Sequence, residues 1–312
     1  MEQDNVFQQE IEELLRQQIG LNPESVGSRA VLRAVRKSMR QSGVLHIEDY
    51  LAELKAAPAL FDKLVEAVVV PETSFFRNRV SYGFLRRWIA SEWKPTASRP
   101  LRVLSLPCST GEEPYSIAIM LLEEGLAPSD FHIDAVDISA AALERAKQGV
   151  FSPYAFRRQA YRNNDKYFSL ALLSEEAAGG FKICDSPDVV PHGRRQKPMR
   201  YMLTDTVREK VVFQQGNVLN AQLLADKLPY DIVFCRNMLI YFDRTARDRT
   251  LTLLNRVLRP NGLLFVGYAE PGWVDSQSYQ PVPYPQTFAF YKRSPQSENQ
   301  DLASLAAQPQ KI

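Results

Sequence analysis

The sequence predicts an α/β fold with a mostly parallel sheet, preceded by a domain made only of helices. Two observations predict it. Residues 5–66 carry apolar side chains at helical spacing and show no strand pattern. From Leu101 onward, short apolar runs alternate with amphipathic segments, which is typical of parallel strands joined by crossover helices. We therefore predict a helical N-terminal domain at 1–93, a linker at 94–100 and an α/β domain at 101–293.

The composition is typical of a soluble globular protein. Of the 312 residues, 45% are hydrophobic and 24% are charged, and the formal net charge is only +2, which argues against a nucleic-acid partner. The three cysteines, Cys108, Cys184 and Cys235, have no metal-type spacing, and their odd number favours a reducing cytoplasm. No apolar run approaches membrane-spanning length, and the acidic N-terminus is unlike a signal peptide. We expect a cytoplasmic protein without a metal and without direct membrane insertion.

The helical domain contains one strongly basic helix, predicted at Ser28–Ser42. Its cationic side chains recur every three or four residues and therefore share a face: Arg29, Arg33, Arg36, Lys37 and Arg40. Such a face is either simply solvated or a docking surface for an acidic partner, and the sequence leaves both interpretations open.

Within this domain, the segment 68–79 departs from helical periodicity, and an amphipathic helix is predicted after it at 82–93. Pro71 breaks the run, and Thr73 or Ser74 can cap the next turn of the chain. The guanidinium group of Arg77, beside that turn, is suited to binding a carboxylate.

The stretch 101–118, LRVLSLPCSTGEEPYSIA, predicts a buried strand, a tight polar turn and the start of a helix. Gly111 allows a positive φ and leaves room for a ligand against the backbone. Glu112 and Glu113 open the helix, where anions would otherwise bind, so the loop favours a ligand bearing hydroxyls or positive charge. The alternative is that both glutamates merely complement the helix dipole.

Polar side chains also come after three later strands of the predicted sheet. Asp137 ends the strand 131–136, Asn217 and Val218 follow the strand 211–214, and Arg236 and Asn237 follow the strand 230–235. Carboxyl ends of parallel strands meet at one edge, where open α/β sheets bind ligands.

The chain lacks both GxGxxG and GxxxxGK[ST], so no phosphate cradle is predicted. A nicotinamide cofactor is therefore disfavoured, and a nucleoside without phosphates fits better. Asp137 would hold its ribose, and Asn217 with Val218 its adenine.

The alternation of strands and helices is interrupted between 149 and 208, which predicts an inserted subdomain at about 179–204. This subdomain is either ordered, in which case it would recognise a partner, or a flexible loop. We expect a flexible tail at 294–312.

Five segments, in this order, resemble the chemotaxis-receptor methyltransferases: TSFFR, CSTGEEPYSIA, VDIS, FCRNMLIYFD and LRPNGLLFVGYAEP. The resemblance covers roughly residues 5–293. It implies a Rossmann-like methyltransferase domain with a mostly parallel seven-stranded sheet and a small inserted β-subdomain. It also implies S-adenosylmethionine as cofactor, S-adenosylhomocysteine as product, and methyl transfer to glutamate carboxylates of a receptor.

The resemblance also implies roles for individual residues. Cofactor contacts carried over by motif are Thr73, Arg77, Glu112, Asp137, Asn217, Val218, Arg236 and Asn237. Tyr241 is predicted to orient the incoming carboxylate. The basic helix resembles one that docks on the receptor's methylation region, through Arg33, Arg36, Lys37 and Arg40.

The expected partner is the cytoplasmic helical region of a chemoreceptor, bound by a monomeric enzyme. Pro71 stands where some members of the family have an asparagine, and the insertion is longer here and ends in the basic segment 194–200.

The sequence leaves two other functions open. One is methyl transfer to another acceptor, such as RNA or a small molecule, and the other is a non-catalytic cofactor-binding module.

Overall fold

The computed structural model describes residues 2–93, 99–156, 164–173, 181–184 and 199–294. Most of the predicted linker, the predicted tail beyond Ser294 and much of the predicted insertion, including residues 194–198, lie outside the described residues. The helices are α1 Glu2–Ile19, α2 Pro23–Val26, α3 Ser28–Ser42, α4 Ile47–Ala56, α5 Pro58–Val68, α6 Arg79–Ser91, α7 Glu112–Glu123, α8 Ala140–Gln148, α9 Asn164–Tyr167, α10 Asp205–Arg208 and α11 Arg244–Val257. The strands are β1 Leu101–Ser105, β2 Phe131–Asp137, β3 Val150–Phe151, β4 Phe168–Leu173, β5 Phe181–Cys184, β6 Met199–Leu203, β7 Val211–Gln215, β8 Tyr230–Cys235, β9 Leu258–Val266, β10 Tyr279–Pro281 and β11 Ala289–Lys292.

The main sheet has seven strands in the order β10-β11-β9-β8-β1-β2-β7. β7, β2, β1, β8 and β9 pair in parallel, whereas β11 and β10 are antiparallel. Every residue of β8 is buried, as expected for a strand covered on both faces. The predicted mostly parallel, seven-stranded sheet is therefore confirmed.

The strand order reverses beside β1, because the chain first builds outward through β2 to β7 and then returns to add β8 and β9 on the other side. Such a reversal opens a crevice at the carboxyl ends of the strands, which is where ligands bind in open α/β sheets. The loops after β1, β2, β7 and β8 therefore border this crevice.

The N-terminal helices form a unit with its own hydrophobic core. Ile11, Leu15, Val31, Val35 and Leu64 are among its fully buried side chains. On α3, the apolar positions face this core and the basic positions face outward, as the helical spacing predicts. No helix in the described ranges has the length and apolar character needed to cross a bilayer.

A second, four-stranded antiparallel sheet has the order β3-β6-β4-β5. Stacked and edge-to-face rings attach it to the main domain: Phe75 lies 4.9 Å from Phe156, and Phe156 lies 5.2 Å from Phe168 and 5.1 Å from Tyr201. This sheet starts at Val150, so it extends beyond the predicted insertion at 179–204, which covers only β5 and β6.

A buried carboxylate in the middle of β2, Asp134, gives the first testable prediction. Tyr230 Oη donates to it at 2.8 Å, and Arg102 Nη2 and Lys227 Nζ lie at 3.2 Å. Burial raises the pKa of Asp134, but hydrogen bonds from His132 and Tyr230 and nearby positive charge outweigh burial and lower it to about 2. Since the unfolded pKa is about 3.9, this stabilisation is present above that pH and is lost as the pH falls towards 2.

We expect Asp134→Asn to lower the free energy of unfolding by about 2 kcal/mol at neutral pH. Urea denaturation of the wild type and the variant, repeated between about pH 7 and about pH 3, measures the difference. The difference should shrink as the pH falls. An equal difference at every pH would contradict the assignment.

Candidate functional site

A cleft of about 490 Å³ lies over the carboxyl edge of the sheet, at the reversal beside β1. One wall consists of the loops after β1, β2, β7 and β8, and the other consists of α3, α5 and the segment 69–77 of the helical region. The volume lies within the range of about 300–1,000 Å³ usual for small-molecule sites.

The cleft brings together most of the residues predicted from the sequence. Its lining includes Thr73, Arg77, Asp137, Asn217, Val218, Arg236, Asn237, Tyr241 and Lys37. Four predicted residues do not line it: Glu112, Arg33, Arg36 and Arg40. The Glu112 carboxylate is buried and accepts the Thr110 hydroxyl at 2.6 Å, while the neighbouring Glu113 lines the cleft instead.

Glu113 and Arg236 form a buried ion pair at the floor of the cleft. Arg236 Nη1 donates to Glu113 Oε2 at 3.1 Å, and the Ser105 hydroxyl donates to Glu113 Oε1 at 2.8 Å. Arg236 Nη2 also donates to the carbonyl of Arg77 at 2.8 Å. Burial raises the pKa of Glu113, and the charge of Arg236 acts against that rise. The pair thus joins the start of α7, the end of β8 and the segment that carries Arg77.

Asp137 is held in one orientation at the end of β2. The backbone N–H of Ser109 donates to Oδ2 at 2.7 Å, and that of Ser139 donates to Oδ1 at 2.9 Å. Burial raises the pKa of the Asp137 carboxyl, and these two N–H groups act against that rise. Each carboxylate oxygen keeps a further lone pair, so two adjacent hydroxyls of a ligand can donate to it.

The loop after β1 fits a ligand with polar groups and no phosphate. Ser109, at φ 50°, lines the cleft, and its buried hydroxyl has no hydrogen-bond partner among the described residues. The expectation that Gly111 leaves room for a ligand is not met: Gly111 does not line the cleft, and a Cβ added there would lie 3.0 Å from the Cβ of Ala146, so this glycine, at φ 94°, serves the packing of the turn. A buried hydroxyl without a partner costs free energy unless a ligand satisfies it. The Glu113 carboxylate at the start of α7 disfavours a phosphate there.

The helical region contributes directly to the walls of the cleft. The side-chain amide of Asn217 donates to the carbonyl of Gln18 at 2.6 Å, and the N–H of Asn22 donates to the carbonyl of Tyr241 at 2.7 Å. Glu66, from α5, accepts the Ser139 hydroxyl at 2.6 Å beside Asp137. Sequence reasoning did not assign Glu66, Ser109 or Glu113 individual contacts in the site.

The basic face of α3 is exposed, and within the described part of the chain no carboxylate lies within ion-pair distance of its cationic side chains. Lys37 on this face also lines the cleft, together with Gln41. The face therefore continues from the outer surface of the helical region to the mouth of the cleft.

The chain is similar in sequence to proteins of one known family. Residues 71–183 and 189–285 match the family described as "CheR methyltransferase, SAM binding domain". The chain is 42% identical over 304 residues to a protein of Pseudomonas aeruginosa named "Probable biofilm formation methyltransferase WspC", covering 96% of this chain and 65% of that protein. Its counterpart in Pseudomonas putida is 38% identical, with 95% and 62% covered. The chain thus spans slightly less than two thirds of the length of these two relatives.

A shorter relative is covered more fully. The "Chemotaxis protein methyltransferase" of Salmonella typhimurium is 31% identical over 241 residues, with 76% of this chain and 74% of that protein covered. Among solved structures, the chain is similar to PKMT2 from Rickettsia typhi in complex with AdoHcy, with 14% sequence identity and a TM-score of 0.34. The similarity covers 64% of this chain and 26% of that protein. The family match includes nearly all the predicted cleft residues. S-adenosylmethionine is the cofactor, as predicted. Because the match covers more than half of the chain, the chain belongs to the CheR methyltransferase family and contains its SAM-binding domain.

Proposed function

We propose that this chain transfers the methyl group of S-adenosylmethionine to glutamate side chains of a chemoreceptor-type protein and thereby adapts receptor signalling. The observation that supports the acceptor most directly is the exposed basic face of α3, which reaches the cofactor cleft at Lys37. An acidic helical segment docked on this face would bring its carboxylates to the mouth of the cleft. The names of the relatives, which refer to chemotaxis and biofilm formation, support the same class of partner.

In this proposal, different residues of the cleft contact different parts of the cofactor. Asp137 accepts the two ribose hydroxyls, and Asn217 with Val218 lies against the adenine. The Glu113 carboxylate suits the ammonium group at the other end, and Arg77 suits the carboxylate beside it. We propose this contact for Glu113, and not for Glu112, which the resemblance implied as a cofactor contact, because Glu113 lines the cleft and Glu112 does not.

The bound cofactor supplies an electrophilic methyl group on a positively charged sulfur. A glutamate side chain has an unperturbed pKa of about 4.3 and is already ionised at neutral pH, so the acceptor needs no general base. The enzyme's residues have to align the carboxylate oxygen with the methyl carbon and exclude water from it. Tyr241 lines the cleft, and its backbone carbonyl is fixed by Asn22, so its hydroxyl is our candidate for orienting the acceptor oxygen.

A transfer assay with isotopically labelled S-adenosylmethionine tests the proposal. The acceptors are purified cytoplasmic fragments of methyl-accepting receptors, the same fragments with their methylatable glutamates replaced by glutamine, and RNA. We expect label only on the unmodified receptor fragments. Label on RNA would overturn the proposed acceptor, and S-adenosylhomocysteine binding without any turnover would overturn the enzymatic proposal.

A further inference from the structure

Glu270 is a buried carboxylate outside the cleft whose partners are backbone N–H groups. It lies four residues after the end of β9, and its exposed fraction is 0%. Oε2 accepts the N–H of Gly267 at 2.5 Å and that of Asn237 at 3.0 Å, while Oε1 accepts the N–H of Met238 at 2.9 Å and that of Ile240 at 3.4 Å.

Three of these four donors belong to one loop, residues 236–241, which leaves the end of β8. The same loop carries Arg236, Asn237 and Tyr241, all of which line the cofactor cleft. At Asn237 the backbone is left-handed, with φ 59°, so the chain turns sharply out of the strand and its N–H groups lose their sheet partners. The Glu270 carboxylate takes the place of those partners.

The approach between Glu270 and the loop is so close that it requires glycine at position 267. A Cβ built on Gly267 would lie 2.6 Å from Glu270 Oε2 and 2.8 Å from the backbone nitrogen of Asn237. Neither contact is sterically possible without a shift of the loop or of the carboxylate.

A buried carboxylate is costly unless it is well compensated. No basic side chain in the described ranges lies within ion-pair distance of Glu270. Burial raises its pKa, and the four N–H groups act against that rise. Both oxygens of the Glu270 carboxylate therefore accept hydrogen bonds from the backbone of the 236–241 loop and of the adjoining turn at Gly267.

We propose that Glu270 is a positioning residue that holds the 236–241 loop in the shape that presents Arg236, Asn237 and Tyr241 to the cofactor and the acceptor. The inference rests on the proposed function for the roles of those three residues. It extends the site to a side chain that touches neither ligand.

The isosteric variant Glu270→Gln tests the inference, because its NH₂ group would face two N–H donors that the carboxylate now accepts. A misplacement of about 1 Å can cost about 100-fold in rate, so we expect kcat to fall roughly 10- to 100-fold while KM for the receptor fragment changes little. Calorimetry should show weaker S-adenosylhomocysteine binding. Hydrogen–deuterium exchange should accelerate in peptides covering 236–242.

Two further variants separate positioning from general stability. Gly267→Ala disturbs the same contact from the opposite side and should reproduce the loss of kcat and the local exchange. Asp134→Asn removes another buried carboxylate, in the middle of β2, and should lower the free energy of unfolding while kcat and S-adenosylhomocysteine affinity stay within about twofold of the wild type.

The inference is overturned if Glu270→Gln keeps wild-type kcat and cofactor-product affinity, or if its faster exchange spreads over the sheet instead of the loop. Failure of the proposed function looks different. In that case the wild type itself transfers no methyl group to receptor fragments, whereas S-adenosylhomocysteine affinity and loop exchange still measure the effect of Glu270.

Discussion

Replacing Asp137 by asparagine is expected to weaken S-adenosylhomocysteine binding roughly 10- to 100-fold, because hydrogen bonds to a charged group contribute about 1.5–3 kcal/mol. The carboxylate accepts one backbone N–H on each oxygen, from Ser109 and Ser139, and has one lone pair left on each for a ribose hydroxyl. An amide has only one acceptor oxygen, and its NH₂ group would face a backbone N–H. Titration calorimetry with the purified chain measures the loss.

The matched control is Asp130→Asn, at the opposite end of the same strand. The Asp130 carboxylate also accepts a backbone N–H, from Ala127 at 2.8 Å, but it does not line the cleft. We expect this control to bind S-adenosylhomocysteine like the wild type. If Asp137→Asn does the same, the ribose assignment is wrong.

The second large effect is expected on the kinetics of methyl transfer to the acceptor protein. Reversing two charges on α3, with Arg33→Glu and Arg36→Glu together, should lower kcat/KM for a receptor fragment about 100-fold at low salt, since charge steering changes association rates by about 10- to 1,000-fold. Both side chains are exposed and lie outside the cleft lining, so S-adenosylhomocysteine affinity should not change. The loss should diminish at higher ionic strength, because salt screens exposed charges.

A double reversal on another helix serves as the control. Arg244→Glu with Arg249→Glu, at exposed positions of α11 that do not line the cleft, changes the net charge by the same amount and leaves α3 unaltered. This control should retain most of the kcat/KM of the wild type. Equal losses in both double variants would assign the effect to net charge, and a parallel loss of cofactor-product binding in the α3 variant would make α3 purely structural.

The positions of Asp137, Asn217 and Arg236 could be predicted because each lies at, or just after, the carboxyl end of a parallel strand: β2 and β8 are buried, and β7 is the mostly exposed edge strand. Long hydrophobic runs mark β2 and β8, and a shorter run, VVF, marks β7. Parallel pairing then brings the carboxyl ends of these strands to one edge of the sheet. The choice between Glu112 and Glu113 could not be made in the same way. Both open the same helix, and which of them faces the cleft depends on the helix rotation, which the left-handed Gly111 helps to set at φ 94°.

Other contributors depend on contacts between distant parts of the chain. Glu66 reaches Ser139 across 73 positions of sequence, and Glu270 reaches Asn237 across 33. Neither follows a predicted cleft strand. Glu270 lies in the segment LRPNGLLFVGYAEP, which supports the family resemblance, but that resemblance implies no role for it. The two-residue strand β3 and the three-residue strand β10 are likewise too short to produce a periodic signal.

The chemical nature of the product tests the central claim most directly. Receptor fragments labelled by the wild-type chain should release their methyl groups as methanol under mild alkali, because the predicted linkage is an ester of a glutamate side chain. Mass spectrometry of the untreated fragments should find the methyl group on glutamate. Label that resists alkali, or that lies on a nitrogen or on a nucleotide, would contradict a carboxylate acceptor.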